Sequence, residues 1–511
     1  MNGAHTAGRS AGRRGLVDRW PVVLGSLLVL LVLPAEAESG RDPDRLRAAV
    51  DAVLNQGSYA RAEWGVFVVS LDRGDTLVSR NADIALTPAS NMKVLTSAAA
   101  LHHLGADYRY TTWLLADGPV ADGVVEGDLV LYGTGDPGIA DRFFESRATV
   151  FEQLADDLLA AGIREIRGSV VGDGSRFVGD LRSASWEPED MNEWFAAPSG
   201  ALSYNENVVS LRVSPGEPGG PPVVGSVPDH TGLPVRNEAI TVTGAARPPL
   251  ALLREHPDDP VLVYGEIRAG GADVWRQMTI TDPALFAAHG LTHVLRESGI
   301  VVRDAPSSIT DGDRTRVGNP GIVAAGSATP TVLAIHHSPP LSTYLRAVNQ
   351  RSHNLYADLI LKTLGWELAG EGSFEAGGRV VRDWLIETGI PTTGLRVLDG
   401  SGLAPENRVS ASTLVGVIEA TSLSDEWDAF WESLPEAGDR TLNRRMRSTP
   451  AAGNLRAKTG TIRRVSSLSG MVRSADGERL AFAIIGNQLP SQFGAKRLED
   501  RVGEALARYS R

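Results

Sequence analysis

The chain contains no cysteine. Disulfides, thiolate zinc sites, iron–sulfur clusters and thiol nucleophiles are excluded together, while both redox compartments stay open. No run reaches 18 consecutive apolar residues, so nothing reads as a membrane-spanning helix and at most peripheral membrane association is expected. The net charge is −12 and no basic cluster is interleaved with aromatics, so there is no footprint for nucleic acid. The 55 glycines follow no G-X-Y period, which excludes collagen, and there is no internal repeat or low-complexity tract. What is present, 42% apolar and 22% charged residues over 511 positions, is the composition of a folded protein of about three domains, or of one domain with large insertions.

Arg9, Arg13, Arg14 and Arg19 precede an apolar run from Pro21 to Leu33, followed by Ala35-Glu36-Ala37. A basic segment, a short apolar segment and a small-residue cleavage site make residues 1–37 a secretory signal peptide in expectation. The run is shorter than the roughly 20 residues that a spanning helix needs, so cleavage is expected, with a retained N-terminal anchor as the alternative. The protein is therefore expected in the periplasm, the extracellular space or the cell wall.

Beyond it, the pattern predicts a helix from Pro43 to Leu54 and strands from Trp64 to Ser70 and Thr76 to Arg80. A helix opens at Pro88-Ala89-Ser90 and stops at Gly105. From 106 to 307 short β-like runs alternate with Gly, Pro and Asp clusters, interrupted by one helix near Thr149 to Ala161 and a Pro/Gly-rich loop from Ser214 to Pro234. Helices resume at Ser342 to Leu364, with a break near Ser352, and at Arg379 to Thr388 and Ser410 to Thr421. Two strands, Thr461 to Val472 and Arg479 to Asn487, follow, and Lys496 to Arg511 reads as a surface helix. The expected architecture is one discontinuous α/β (α+β) catalytic domain, 38–105 with 308–511, carrying an inserted β-rich region at 106–307.

Lysine is the scarcest chemical resource. Against 46 Arg there are four Lys: Lys93, Lys362, Lys458 and Lys496. Arg stays protonated in proteins, whereas Lys can be neutralised by burial and act as a base. Codon bias with chance survivors is the bland reading, and context decides. Lys93 lies in Ser90-Asn91-Met92-Lys93, S-x-x-K at a helix start, where both side chains share one face and the Ser hydroxyl sits at the helix N-terminus. Lys458 opens Lys458-Thr459-Gly460, a K-T-G that runs through Thr461 into an apolar strand. Gly460, having no side chain, would let a substrate approach the strand edge. Ser352-His353-Asn354, an S-x-N, is worth little by itself, where it reads first as a solvated helix face.

The ordered set S-x-x-K, S-x-N, K-T-G resembles the signature of active-site-serine penicillin-binding proteins and class A β-lactamases. The 259-position separation of Lys93 and Ser352 resembles the long insertion of the D-alanyl-D-alanine carboxypeptidase/endopeptidase (DacB-like, low-molecular-mass class C) family. So do Gly127-Asp128-Leu129, Gly135-Asp136-Pro137, Ala201 to Asn207, Ser338 to Leu341, Asp399-Gly400-Ser401-Gly402-Leu403 and Asn407 to Ser410. The resemblance implies a serine β-lactamase/transpeptidase-like domain with an antiparallel sheet and helices plus inserted β-rich domains. It implies peptidoglycan stem peptides as substrates and β-lactam antibiotics as inhibitors. Ser90 would be the nucleophile and Lys93 its base, Ser352 a proton relay, and Asn354 a holder of Lys93 and the substrate amide. Lys458, Thr459 and Thr461 would bind the terminal carboxylate beside Gly460, and the N–H groups of Ser90 and Thr461 would form the oxyanion hole. Lys458 is expected to depress the pKa of Lys93, with burial pushing the same way.

The segment Trp186 to Pro198 resembles the part of the insertion that meets the diaminopimelate side chain. Asp190 would take its ammonium and Phe195 its methylenes, with Arg408 and Arg463 as candidates for its carboxylate. Asp358 stands where the family usually has Glu, a departure expected to leave the chemistry untouched. His102-His103 and His336-His337 are sequence neighbours whose rings point apart, so neither pair is expected to share a metal, and no metal or organic cofactor is expected. Two alternatives stay open: a β-lactamase-like hydrolase with its own deacylating base, and a non-catalytic peptidoglycan-binding protein.

Overall fold

The computed structural model describes residues 43–230, 232–256, 258–310 and 331–511. The expected signal peptide, 1–37, lies outside the described residues.

Strand Arg479–Asn487 is apolar at almost every position because both of its faces are covered. Leu480, Phe482 and Ile484 meet Val50, Leu498, Val502 and Leu506. The latter come from the helices Pro43–Leu54 and Gln492–Arg508. Ala481, Ala483 and Ile485 face the opposite core with Val94, Leu95, Leu414 and Val417. The strand lies at the centre of a five-stranded antiparallel sheet in the order Thr76–Arg80, Glu63–Ser70, Arg479–Asn487, Val465–Arg473, Arg456–Ile462. Glu63 pairs with Asn487, so the two ends of the chain close one sheet. The C-terminal helix is amphipathic rather than merely superficial, since Leu498, Val502 and Leu506 are core residues.

Two expectations about local structure change. The predicted strand Thr461 to Val472 is two strands joined at Arg463-Arg464, where Arg464 has a φ of 57°. The K-T-G triplet therefore lies inside the edge strand Arg456–Ile462. The helix expected at Arg379 begins earlier, at Phe374, because the Ser373 side chain caps it by accepting from the Ala376 N–H.

The inserted region holds a mixed five-stranded sheet in the order Ser307–Ile309, Val170–Asp173, Asp128–Tyr132, Thr111–Asp117, Thr331–His337. Its last strand falls after the boundary expected at 307/308, because Thr331–His337 finds its partner in Thr111–Asp117. A helix from Pro283 to Glu297, not expected from the sequence, packs Phe286, Leu291 and Leu295 into the core of this region. No helix among the described residues is long and apolar enough to cross a membrane.

Candidate active site

The helix Met92–Leu104 is entered through a tight 3-10 turn, Ala89–Asn91, and Ala89 takes a left-handed φ of 47°. A non-glycine residue held there stores about 1–3 kcal/mol and persists only where its surroundings over-determine it. They do so here. Asn91, fully buried inside the S-x-x-K, donates to Ser467 Oγ at 2.5 Å and accepts from Ser469 Oγ, while Ser467 Oγ donates to the Pro88 carbonyl at 2.6 Å. Gly402 packs directly on the turn: a Cβ there would lie 1.9 Å from the Ala89 carbonyl oxygen. Ser90 is thereby presented half-buried at the start of the helix, with Lys93 one turn on and wholly buried.

Lys93 Nζ is 3.1 Å from Ser90 Oγ, 2.7 Å from Asn354 Oδ1 and 2.6 Å from the Ser401 carbonyl. Two of these partners can only accept. A neutral amine has two N–H bonds to give them, so its lone pair is left for the Ser90 hydroxyl. Burial lowers the Lys93 pKa from 10.5 to about 8, against the opposing pull of Asp358 and Asp399. This revises the expected cause: desolvation dominates at Lys93, and the repulsion between the two lysines is felt at Lys458. Lys458 is pushed well down by burial first and by the Lys93 charge second.

Ser352 occupies a break between the helices Leu341–Gln350 and Asn354–Ala369, with a φ of 57°. Its Oγ accepts from Lys458 Nζ at 2.9 Å, and the same nitrogen donates to the Thr459 carbonyl at 2.7 Å. Asn354, at the first position of the second helix, donates through Nδ2 to the Phe195 carbonyl at 2.8 Å. It thus joins the base to a loop of the insertion.

Ser90, Ser352, Asn354 and Thr461 line one cleft of about 670 Å³ together with Asp190, Phe195 and Arg463. Glu187 and Glu189 also line it, and with Asp190 they form an acidic wall. The Asp190 carboxyl is raised by burial and then by Glu187, Glu189 and Glu193. Thr459 contributes its backbone carbonyl, as above.

Two candidates have roles that the sequence did not suggest. At Gly460 a Cβ would meet Ser467 Oγ at 2.2 Å and the Pro88 carbonyl oxygen at 2.7 Å, so the glycine lets the strand close on the nucleophile turn. Arg408 lines a neighbouring cavity instead of this cleft, and its guanidinium is committed to Thr87 Oγ1, the Pro405 carbonyl and the Asn407 carbonyl. Arg408 braces the segment that leads into Ser90.

Asp358 was expected to stand outside the chemistry, but it backs the site. It is fully buried, its Oδ1 accepts from the Gly400 and Ser401 N–H groups, and Ser401 in turn accepts from Lys93. Ser401, Gly402 and Asn91 had motif signals but no assigned role, whereas Glu187 and Glu189 are ordinary acids in sequence. Among the described residues, the histidine–carboxylate group that could hold a metal, Asp229, His230 and His293, lies outside this cleft.

Comparison with known proteins agrees with this geometry. A profile of the D-Ala-D-Ala carboxypeptidase 3 (S13) family matches residues 46–509. The chain is 34% identical to a D-alanyl-D-alanine carboxypeptidase of Actinomadura sp. strain R39, over 98% of this chain and 92% of that one. It is 28% identical to carboxypeptidase DacB of Mycolicibacterium smegmatis, over 89% and 84%. The crystal structure of penicillin binding protein 4 (dacB) from Haemophilus influenzae shares the fold, with a TM-score of 0.75 at 23% identity, over 90% of this chain and 99% of that one.

Proposed function

Given that the chain belongs to the D-Ala-D-Ala carboxypeptidase 3 (S13) family and is a serine D-Ala-D-Ala peptidase, we propose that Ser90 attacks the carbonyl carbon of the penultimate D-alanine of a peptidoglycan stem peptide. Neutral Lys93 takes the Ser90 proton as the new C–O bond forms. The N–H groups of Ser90 and Thr461 hold the oxyanion. Collapse breaks the C–N bond, and the proton that Lys93 took passes by way of the Ser352 hydroxyl, itself hydrogen-bonded to Lys458, to the leaving D-alanine amine, which returns Lys93 to its neutral form. Water then adds to the acyl carbon as neutral Lys93 takes one of its protons; the ester C–O bond to Ser90 breaks, Lys93 returns that proton to Ser90 Oγ, and the shortened peptide leaves. Lys458, with Thr459 and Thr461, holds the terminal carboxylate. A β-lactam enters by the same attack, but its leaving amine stays tethered after ring opening, so the acyl-enzyme persists.

The observation that carries this reading is the Lys93 hydrogen-bond set, two carbonyl acceptors and one hydroxyl around a buried amine. Asp190 pairs with the ammonium of the diaminopimelyl side chain, and Phe195 packs on its methylenes; both line the same cleft as Ser90. Ser90→Ala should abolish covalent labelling by a fluorescent penicillin while the thermal unfolding midpoint holds. Labelling retained at another serine would overturn the assignment.

The proposed site of action is outside the cytoplasmic membrane, reached through the signal at 1–37. The exported protein should begin at Glu38 on N-terminal sequencing, and an exported chain that still begins at residue 1 or 2 would refute cleavage.

A further inference from the structure

Three of the ten histidines of this chain meet outside the cleft that holds the three catalytic motifs. His289 and His293 are four residues apart on the helix Pro283–Glu297, so they share one face. Both line a cavity of about 350 Å³, and His230, from the Pro/Gly-rich loop, lines it opposite them. The rings of His230 and His293 are 4.3 Å apart. His230 Nδ1 lies 3.0 Å from Asp229 Oδ1, and His293 Nε2 lies 3.3 Å from Glu297 Oε2. One ligand atom each from Asp229, His230 and His293 falls within 4.8 Å of the others.

We propose that this cluster is a divalent metal site of the zinc class, with His230, His293 and Asp229 as ligands and His289 or Glu297 completing the set. Two donors on a tetrahedral zinc are about 3.3 Å apart, which the His230–Asp229 and His293–Glu297 pairs already meet. The remaining gap, between the stacked His230 and His293 rings, closes by rotation of the imidazoles, of which His293 is 35% exposed, and the exposed Asp229 and Glu297 carboxylates follow. Mixed imidazole and carboxylate donors suit zinc, cobalt and nickel rather than calcium or magnesium.

Features behind the ligands fit as well. A ligating imidazole usually gives its second ring nitrogen to a fixed partner, and His230 Nε2 sits 3.5 Å from the hydroxyl of buried Tyr204. His289 lies over Gly232, where a Cβ would be 2.7 Å from its Nε2, so that glycine makes room for the ring. Arg296 lines the same cavity, but its guanidinium is drawn away to the Val302 and Asp304 carbonyls. A bound metal would pin the His230 loop to the helix and so cross-link two elements of the insertion.

The test is titration of the full untagged chain, freed of metal by chelator and dialysis, with Zn²⁺ by calorimetry and with Co²⁺ by visible absorption. The expected result is one metal per chain, and Zn²⁺ should raise the thermal midpoint. His230→Gln and His293→Gln should each weaken binding at least tenfold and remove that rise, while penicillin labelling continues and shows that the fold is kept. Should either variant fail to label, Asp229→Asn and Glu297→Gln, which alter exposed side chains, are the substitutes and should weaken binding several-fold. Absence of saturable binding up to 1 mM, or affinity unchanged in the variants, would overturn the site.

Discussion

Lys93 Nζ and Asn354 Oδ1 stand 2.7 Å apart although 261 residues separate them in the chain. The Asn354 amide faces both ways, since its Nδ2 donates to the Phe195 carbonyl. Asn354→Ala would leave a buried N–H of Lys93 without an acceptor, a loss of about 1.5–3 kcal/mol and so of about 10- to 150-fold in acylation rate. Asn354→Asp should instead move the rise of acylation with pH to higher pH, because a carboxylate favours the protonated amine. Acylation rates from pH 6 to 10 in both variants check this, and an unmoved profile in Asn354→Asp would contradict it.

The wild-type profile carries its own prediction. Burial brings Lys93 to about 8, and only the deprotonated amine can accept the Ser90 proton. Acylation should therefore be slow at pH 6 and climb through about pH 8 to a plateau. Lys93→Arg keeps the charge but cannot give up a proton, and its acylation rate should fall about 10²–10⁴-fold below the wild-type plateau and no longer climb through pH 8. A flat wild-type profile, or a fast Arg variant, would reduce Lys93 to an electrostatic part.

Gly460→Ala tests whether the glycine serves the fold of the nucleophile turn. The new methyl would meet Ser467 Oγ and the Pro88 backbone, an overpacking that costs about 1–3 kcal/mol. Penicillin labelling and the thermal midpoint should drop together. A variant of normal stability with a defect for peptides alone would favour the substrate-approach reading.

Asp190→Ala separates recognition from catalysis. A carboxylate–ammonium contact in a partly closed cleft contributes about 1.5–3 kcal/mol, so kcat/KM should fall about 10- to 150-fold for peptides with a free side-chain amine. Acylation by a simple penicillin should hardly change. Equal losses on peptides with and without the amine would assign Asp190 to the fold.

Scarcity of lysine was the informative signal in the sequence, and the structure supplies its reason. Lys93, Lys362 and Lys458 are all fully buried, where a group able to shed its proton is tolerated and a permanently charged guanidinium is costly. Lys362 donates to the Asp180 and Ser199 carbonyls and is lowered to about 7 by burial. The helix Pro283–Glu297 was also legible, since Asp282-Pro283 is a capping residue followed by proline at the first helical position. It was missed because short β-like runs dominate its surroundings.

By itself, then, the sequence determined the local chemistry: a serine one helical turn before a lysine, a helix break at Ser352, strands whose continuous apolar runs mark a sheet covered on both faces. These depend on residues close in the chain, where spacing and backbone preference suffice. Only the tertiary structure decided that Asp358 stands behind Ser401, that Gly460 serves the turn and Arg408 braces it, and that three acids of the insertion share a wall. Those outcomes depend on which distant surfaces exclude water from one another, and no spacing along the chain records that.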